Sequence, residues 1–332
     1  AAAAAAGAAR RGAHVRPVRE LAGFCNIDRG MANKPQYCGE IAEDIYAFLS
    51  VTERKYRADA HYFAQQPVIT PDMRGILVDW LVEVAEEYKL SSETLYLTVN
   101  YIDRFLSRRA VQKSQLQLVG VAACLLASKY EEIYPPHCDE FVYISDNTYT
   151  RDEIFQMETA ILTSLDFALT AATAKVFLRR FISASARIYH GAAAPRASLM
   201  PFVANYACEL ALTEYRVLRY LPSQVAAAAC CLALHACDLA PWSDTLTFYT
   251  RCWPNDVALL DCVADLHALL VGAPTSSLQA VREKYKLPRC RAVADLPAPT
   301  MPDLLGYARR AGLALSPLAD ADVATMCHRQ HV

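Results

Sequence analysis

The chain has 332 residues, 54% of them apolar, and a formal net charge of −2. That length and apolar content suffice for two compact domains with a core each, and the near-neutral charge excludes a field drawing the whole chain to nucleic acid or an anionic membrane. No uncharged apolar run reaches the length of a bilayer span. The first residues are alanines and arginines rather than a signal-peptide core, and twelve cysteines without a C-x-x-C pair suit buried thiols in a reducing compartment.

In chain order, residues 1–36 hold an alanine run and Arg10, Arg11, Arg16, Arg19 and Arg29 against Glu20 and Asp28. Without apolar periodicity they are expected to be a mobile, mildly basic tail. Ile41, Ile45, Phe48 and Leu49 recur at helical spacing and predict a first helix. From Thr70, an N-cap followed by Pro71, a second helix runs to about Leu90. Met73, Ile76, Leu77, Trp80, Val84 and Tyr88 form one apolar stripe on it, and Val78, Leu81, Val82 and Ala85 form another. Asp79, Glu83 and Glu86 keep a narrow strip for charge. Arg74 projects among the second stripe and needs a carboxylate there.

Ser91 or Ser92 caps the next helix, which carries Leu95, Val99, Ile102 and Leu106 on one face and ends in Arg104, Arg108 and Arg109. Ser114–Glu132 is apolar nearly all round and reads as a central buried helix, stopped near Pro135 and Pro136. Thr150 and Glu153 form a capping box before Ile154, Met157, Ile161, Leu162 and Leu165. The pattern then starts again, with helices expected over 176–182, 202–212, 223–235 and 257–270. Ala122–Leu125 and Ala229–Leu232 have like settings, modest support for two similar domains. Prolines at 288, 297, 299, 302 and 317 are expected to leave a poorly organised tail.

No glycine-rich phosphate loop, H-E-x-x-H pair or G-x-S-x-G elbow is present. Neighbouring carboxylates such as Glu86, Glu87, Glu131 and Glu132 read as solvated faces. Cys327, His328 and His331 are weak grounds for a zinc site. No metal or cofactor is expected, and a helical binding module is a better class than an enzyme.

Met73–Val84 (MRGILVDWLVEV), Asn100–Ser107 (NYIDRFLS), Leu125–Pro136 (LLASKYEEIYPP) and Glu140–Thr150 (EFVYISDNTYT) resemble, in that order, the cyclin box of an A-type cyclin. Ser276–Tyr285 (SSLQAVREKY) is similar to the end of the second box in plant A-type cyclins, particularly their third group. The resemblance implies an all-α chain of two tandem five-helix cyclin folds: a tail over 1–36, boxes over 37–168 and 169–287, and a divergent tail over 288–332. It implies a cell-cycle regulatory subunit, nuclear and cytoplasmic, that activates a cyclin-dependent Ser/Thr kinase through a PSTAIRE-type helix and has no catalysis of its own.

Carried over residue by residue, Lys129 and Glu158 match the polar pair that grips the kinase helix. Tyr130, where many relatives have phenylalanine, and Leu162, Phe167 and Leu169 match further kinase contacts. Met73, Ile76, Leu77 and Trp80, with Leu116 and Gln117, match a shallow patch for Arg-x-Leu substrates and inhibitors. Glu83 is placed to meet the arginine and Lys113 lies at the rim. Arg74 and Asp103 match a buried structural ion pair. The destruction-box signal around Arg16, Arg19, Leu21 and Asn26 is degenerate. Neither nucleic acid nor membrane is an expected partner. The competing classes are a cyclin-fold transcription-associated factor and a helical scaffold without a kinase.

Overall fold

The computed structural model describes residues 24–29, 37–188 and 195–316, and among these there is no β-strand. Helix α1 (Ala42–Lys55) precedes a five-helix unit of α2 (Pro71–Glu87), α3 (Ser92–Leu106), α4 (Leu116–Glu131), α5 (Cys138–Ile144) and α6 (Arg151–Ser164). A second five-helix unit follows: α7 (Ala174–Ile188), α8 (Met200–Thr213), α9 (Pro222–Ala236), α10 (Asp244–Thr250) and α11 (Val257–Gly272). Two short helices, α12 (Ala280–Lys286) and α13 (Leu304–Ala311), close the described chain.

Local chemistry sets the helix starts. The Thr70, Ser91 and Thr150 hydroxyls accept from the Met73, Thr94 and Glu153 amides, and Glu153 completes the capping box by accepting from Thr150 N. Gln66 closes the far end of α3, donating to the Leu106 and Arg109 carbonyls at 2.7 Å each. The two alanine-rich segments are the central helices of their units. From Leu118 to Ser128 in α4, and from Val225 to Leu234 in α9, every residue is buried. Small side chains let the neighbouring helices close around each of them.

Several expectations need correction. The strip of Asp79 and Glu86 is not a solvated face. Asp79 accepts from the Ala280 amide at 3.0 Å, and Glu86 pairs with Lys284 at 3.4 Å and with Arg289, so the strip seats α12. Glu132 accepts from Ser91 N and Thr94 Oγ1 at the start of α3. Arg104 stands in the last turn of α3 as expected, and it is also buried against the Tyr56 ring.

The described residues of both tails are packed on the second unit. Residues 24–29 dock on the second unit, where Cys25 and Ile27 amides donate to Thr245 Oγ1 and Tyr249 OH, and Asp28 pairs with Arg180 at 2.7 Å. The chain beyond Leu287 folds through Ser316. Val293, Ala294, Leu304 and Ala308 are buried, and Asn255 is hydrogen-bonded to the Ser316 backbone. The remaining tail features, including Arg16, Arg19, Leu21, Cys327, His328 and His331, lie outside the described residues.

Val257–Thr275 is long and apolar enough to cross a membrane by length and composition. It contains Asp261 and Asp265, and its Leu259, Cys262, Val263 and Leu266 are buried in the second unit, as suits a core helix.

Candidate functional site

Lys129 stands in the last turn of α4, where exposed carbonyls favour a cation. Its Nζ donates to both carboxylate oxygens of Glu158 on α6, at 2.7 and 2.9 Å. The lysine side chain is 42% exposed and the glutamate 11%. A half-exposed pair of this kind adds only about 0–1 kcal/mol to stability. Its ammonium and carboxylate keep further hydrogen-bonding capacity for a polar partner arriving from outside. The Phe155 ring lies 5.3 Å from Nζ and helps hold the ammonium in place.

Several large apolar side chains close to this pair in the chain are exposed. Tyr130 is exposed, and its hydroxyl meets Thr170 Oγ1 at 2.6 Å, a bond that a phenylalanine there could not make. Ile133 and Tyr134, in the turn after α4, are 86% and 91% exposed. Sequence reasoning assigned these two no role. Their signal was a pair of large apolar residues directly before Pro135 and Pro136, where an extended turn has no core to enter.

Phe167 is 70% exposed, with φ at +55° directly after Asp166 at +53°. A bulky residue in the left-handed region is strained. The turn is held by the Phe167 amide on the Leu162 carbonyl (3.0 Å) and by Arg108, which reaches the Ser164 carbonyl and Asp166. Leu162 and Leu169 are half-buried at its base.

The α2 surface divides differently from the expected patch. Ile76 is 62% exposed, Met73, Trp80 and Gln117 are half-buried, and Glu83 and Lys113 are exposed at the edges. Leu77 and Leu116 belong to the core. Leu77 Cδ1 lies only 2.7 Å from where a Cβ on Gly120 would stand, so it fills the notch that glycine leaves in α4. These two support the patch from below rather than lining it.

Arg74 and Asp103 form a bidentate pair, Nε to Oδ1 and Nη2 to Oδ2, both 2.7 Å, fully out of solvent. Tyr62 OH donates to the same carboxylate at 3.0 Å, and the remaining Arg74 nitrogen donates to the Leu212 carbonyl at the end of α8. Burial alone would lower the Arg74 pKa, but the Asp103 charge outweighs it and the guanidinium is held protonated. The pair is therefore structural and also fastens the first unit to the second. Among the described residues, no three His, Cys, Asp or Glu side chains gather as a metal site.

Comparison with known proteins fits this architecture. The model of the cyclin N-terminal domain matches residues 44–170, and that of the cyclin C-terminal domain matches 172–299. Cyclin-A1-3 of Oryza sativa subsp. japonica is 46% identical over 283 residues, 84% of this chain and 56% of the rice protein. Putative cyclin-A3-1 of Arabidopsis thaliana is 45% identical over 275 residues, 82% of this chain and 76% of that protein. These near-equal identities do not single out the third plant group. The chain spans little more than half the length of several curated relatives that it matches. The crystal structure of a viral cyclin from herpesvirus saimiri superposes with a TM-score of 0.60 at 20% identity, covering 71% of this chain and 99% of the viral one, which supports the fold. The chain belongs to the cyclin family, and within it to the A-type cyclins.

Proposed function

We propose that this chain is a regulatory subunit that binds and activates a cyclin-dependent Ser/Thr kinase in the cell cycle, acting in nucleus and cytoplasm and contributing no catalytic group itself. The observation that carries the reading is the Lys129–Glu158 pair, half open to solvent, in a chain that also exposes Tyr130, Ile133 and Tyr134 just after Lys129 and Phe167 just after α6. Several exposed large apolar side chains, close in the chain to a half-open polar pair, suit a protein interface better than a solvated surface.

In this reading a PSTAIRE-type helix of the kinase seats on Lys129 and Glu158, while Leu162, Phe167 and Leu169 supply apolar contact. The kinase needs its own Lys–Glu pair and magnesium-binding aspartate in register. A partner that binds only that arrangement shifts the kinase population towards it by its differential affinity. The second surface, Ile76 with Met73, Trp80 and Gln117, receives Arg-x-Leu segments of substrates and inhibitors, with Glu83 facing the arginine.

Mixing the purified chain with a PSTAIRE-type kinase and following histone phosphorylation tests the proposal. Stimulation well above the kinase alone is expected. A chain that leaves every such kinase at its basal rate would overturn it.

A further inference from the structure

The first box ends in a turn over residues 165–170, and two tyrosines reach it. Tyr101 of α3 is buried, and its hydroxyl donates to the Leu169 carbonyl at 3.0 Å. Tyr130 of α4 is 45% exposed, and its hydroxyl stands 2.6 Å from Thr170 Oγ1. Burial raises the Tyr101 pKa, and the nearby Tyr130 phenol adds to the rise. The two hydroxyls thus grip consecutive residues of one turn.

That turn needs outside support. Asp166 and Phe167 both have positive φ, and such backbone persists only where its surroundings over-determine it. Its own bonds are from backbone to backbone: Phe167 N to the Leu162 carbonyl at 3.0 Å, and Leu169 N to the Phe167 carbonyl at 3.1 Å. The Tyr130–Thr170 bond adds a fixed point from the residue directly after Lys129. Both residues are exposed, so water can serve either hydroxyl if the other is removed, and no buried polar group is stranded. The bond therefore adds little to the stability of the fold. What it supplies is one geometry for the turn.

We infer that Thr170 is a positioning residue of the kinase-binding surface. Acting through the Tyr130 hydroxyl, it fixes the turn against α4, and with it Phe167 and Leu169 relative to Lys129 and Glu158. It rests on the kinase-binding role proposed for that surface. Side chains held in place before a partner arrives lose less freedom on binding, so the hydroxyl pair contributes affinity.

The test is a double-mutant cycle on affinity for a PSTAIRE-type kinase, with Tyr130→Phe, Thr170→Val and both together in the full chain. Each single change should weaken binding about two- to tenfold, the range for one hydrogen bond, with Tm unchanged. The double variant should bind no more weakly than either single one, and Thr170→Ser, which keeps a hydroxyl, should bind like wild type. If Thr170→Val keeps full affinity while Tyr130→Phe loses it, the phenol meets the kinase directly and the inference is overturned. Losses that add in the double variant, or a Tm that falls in step with affinity, overturn it as well. Lys129→Ala with Glu158→Ala is measured alongside. If that variant binds like wild type, the kinase-binding reading itself fails; if it binds weakly while the cycle shows no loss, the positioning role alone fails.

Discussion

Arg74 joins three demands in one side chain: a bidentate carboxylate, a position with no solvent, and a carbonyl from the opposite box. Removing one partner strands a charge, which costs about 3–5 kcal/mol, whereas removing both leaves an apolar gap that can be filled. Arg74→Met and Asp103→Leu are each expected to unfold at markedly lower urea. The double variant should recover part of that loss, a non-additivity read directly from the midpoints.

Glu53 offers a different case. Its buried carboxylate accepts from the Ser223 amide and hydroxyl at 2.9 Å each, capping α9 from α1. Burial raises its pKa, against those two bonds that lower it. The folded state thus holds this proton more tightly than the unfolded chain. The group's stabilising contribution is complete below the unfolded value and is lost as pH climbs through the raised folded one. Glu53→Gln can keep both contacts, its carbonyl taking the amide and its NH₂ reaching the hydroxyl. Relative to wild type it should gain stability between about pH 4 and pH 7, read from urea midpoints at the two values.

At the scale of elements, α12 is the part whose importance is least visible in its own seven residues. Lys284 reaches Glu86 of α2 and Glu209 of α8, while Tyr285 OH donates to the second Glu209 oxygen at 2.8 Å. Glu209 is only 1% exposed. Lys284→Ala would leave that carboxylate with a single phenol, and a loss of about 3–5 kcal/mol is expected by chemical denaturation. Glu209→Gln in the same background should restore part of it. Nothing local announces this arrangement, because Glu86 reads equally well as solvated until α12 is placed beside it.

The same limit explains α10, whose seven residues span too few turns to reveal a period, and the prolines after Leu287. Read as breakers, Pro288 in fact opens a 3-10 turn, and Pro302 stands just before Asp303, whose side chain accepts from the Gly306 amide to cap α13. By contrast α2 was legible because its cap and apolar period act within one helix, and α4 and α9 because their alanine-rich apolar runs do. On α2 the sequence put Ile76 and Leu77 in one stripe and could not separate them. One residue apart, they differ by whether Gly120 happens to offer a notch.

For the whole molecule, the repeat of alanine-rich helices foretold two like boxes, and what joins them was not foretold. Arg180 of α7 lies between the Tyr46 ring of α1 and the Tyr249 ring of α10. Together with Arg74, Glu53 and Lys284, this contact joins the second box to the first, which carries both candidate surfaces. They rest on different parts of the first box: Lys129 and Glu158 on α4 and α6, Ile76 and Trp80 on α2.

Activation and recruitment should therefore separate. Lys129→Ala with Glu158→Ala is expected to weaken kinase binding at least about tenfold, the loss of one to two charge-assisted hydrogen bonds, and to lower phosphorylation of every substrate alike. Ile76→Asp should leave activity on a short peptide without a docking motif unchanged and lower it only where an Arg-x-Leu segment is present. Circular dichroism should match wild type for both, since Ile76 is exposed and the double change removes both partners of the Lys129–Glu158 pair and strands neither charge, whereas Leu77→Ala should cost about 2–5 kcal/mol as a core truncation. If Ile76→Asp lowered activity on both kinds of peptide with helicity intact, α2 would have to be part of the activating contact, and the division of labour between the two surfaces would fail.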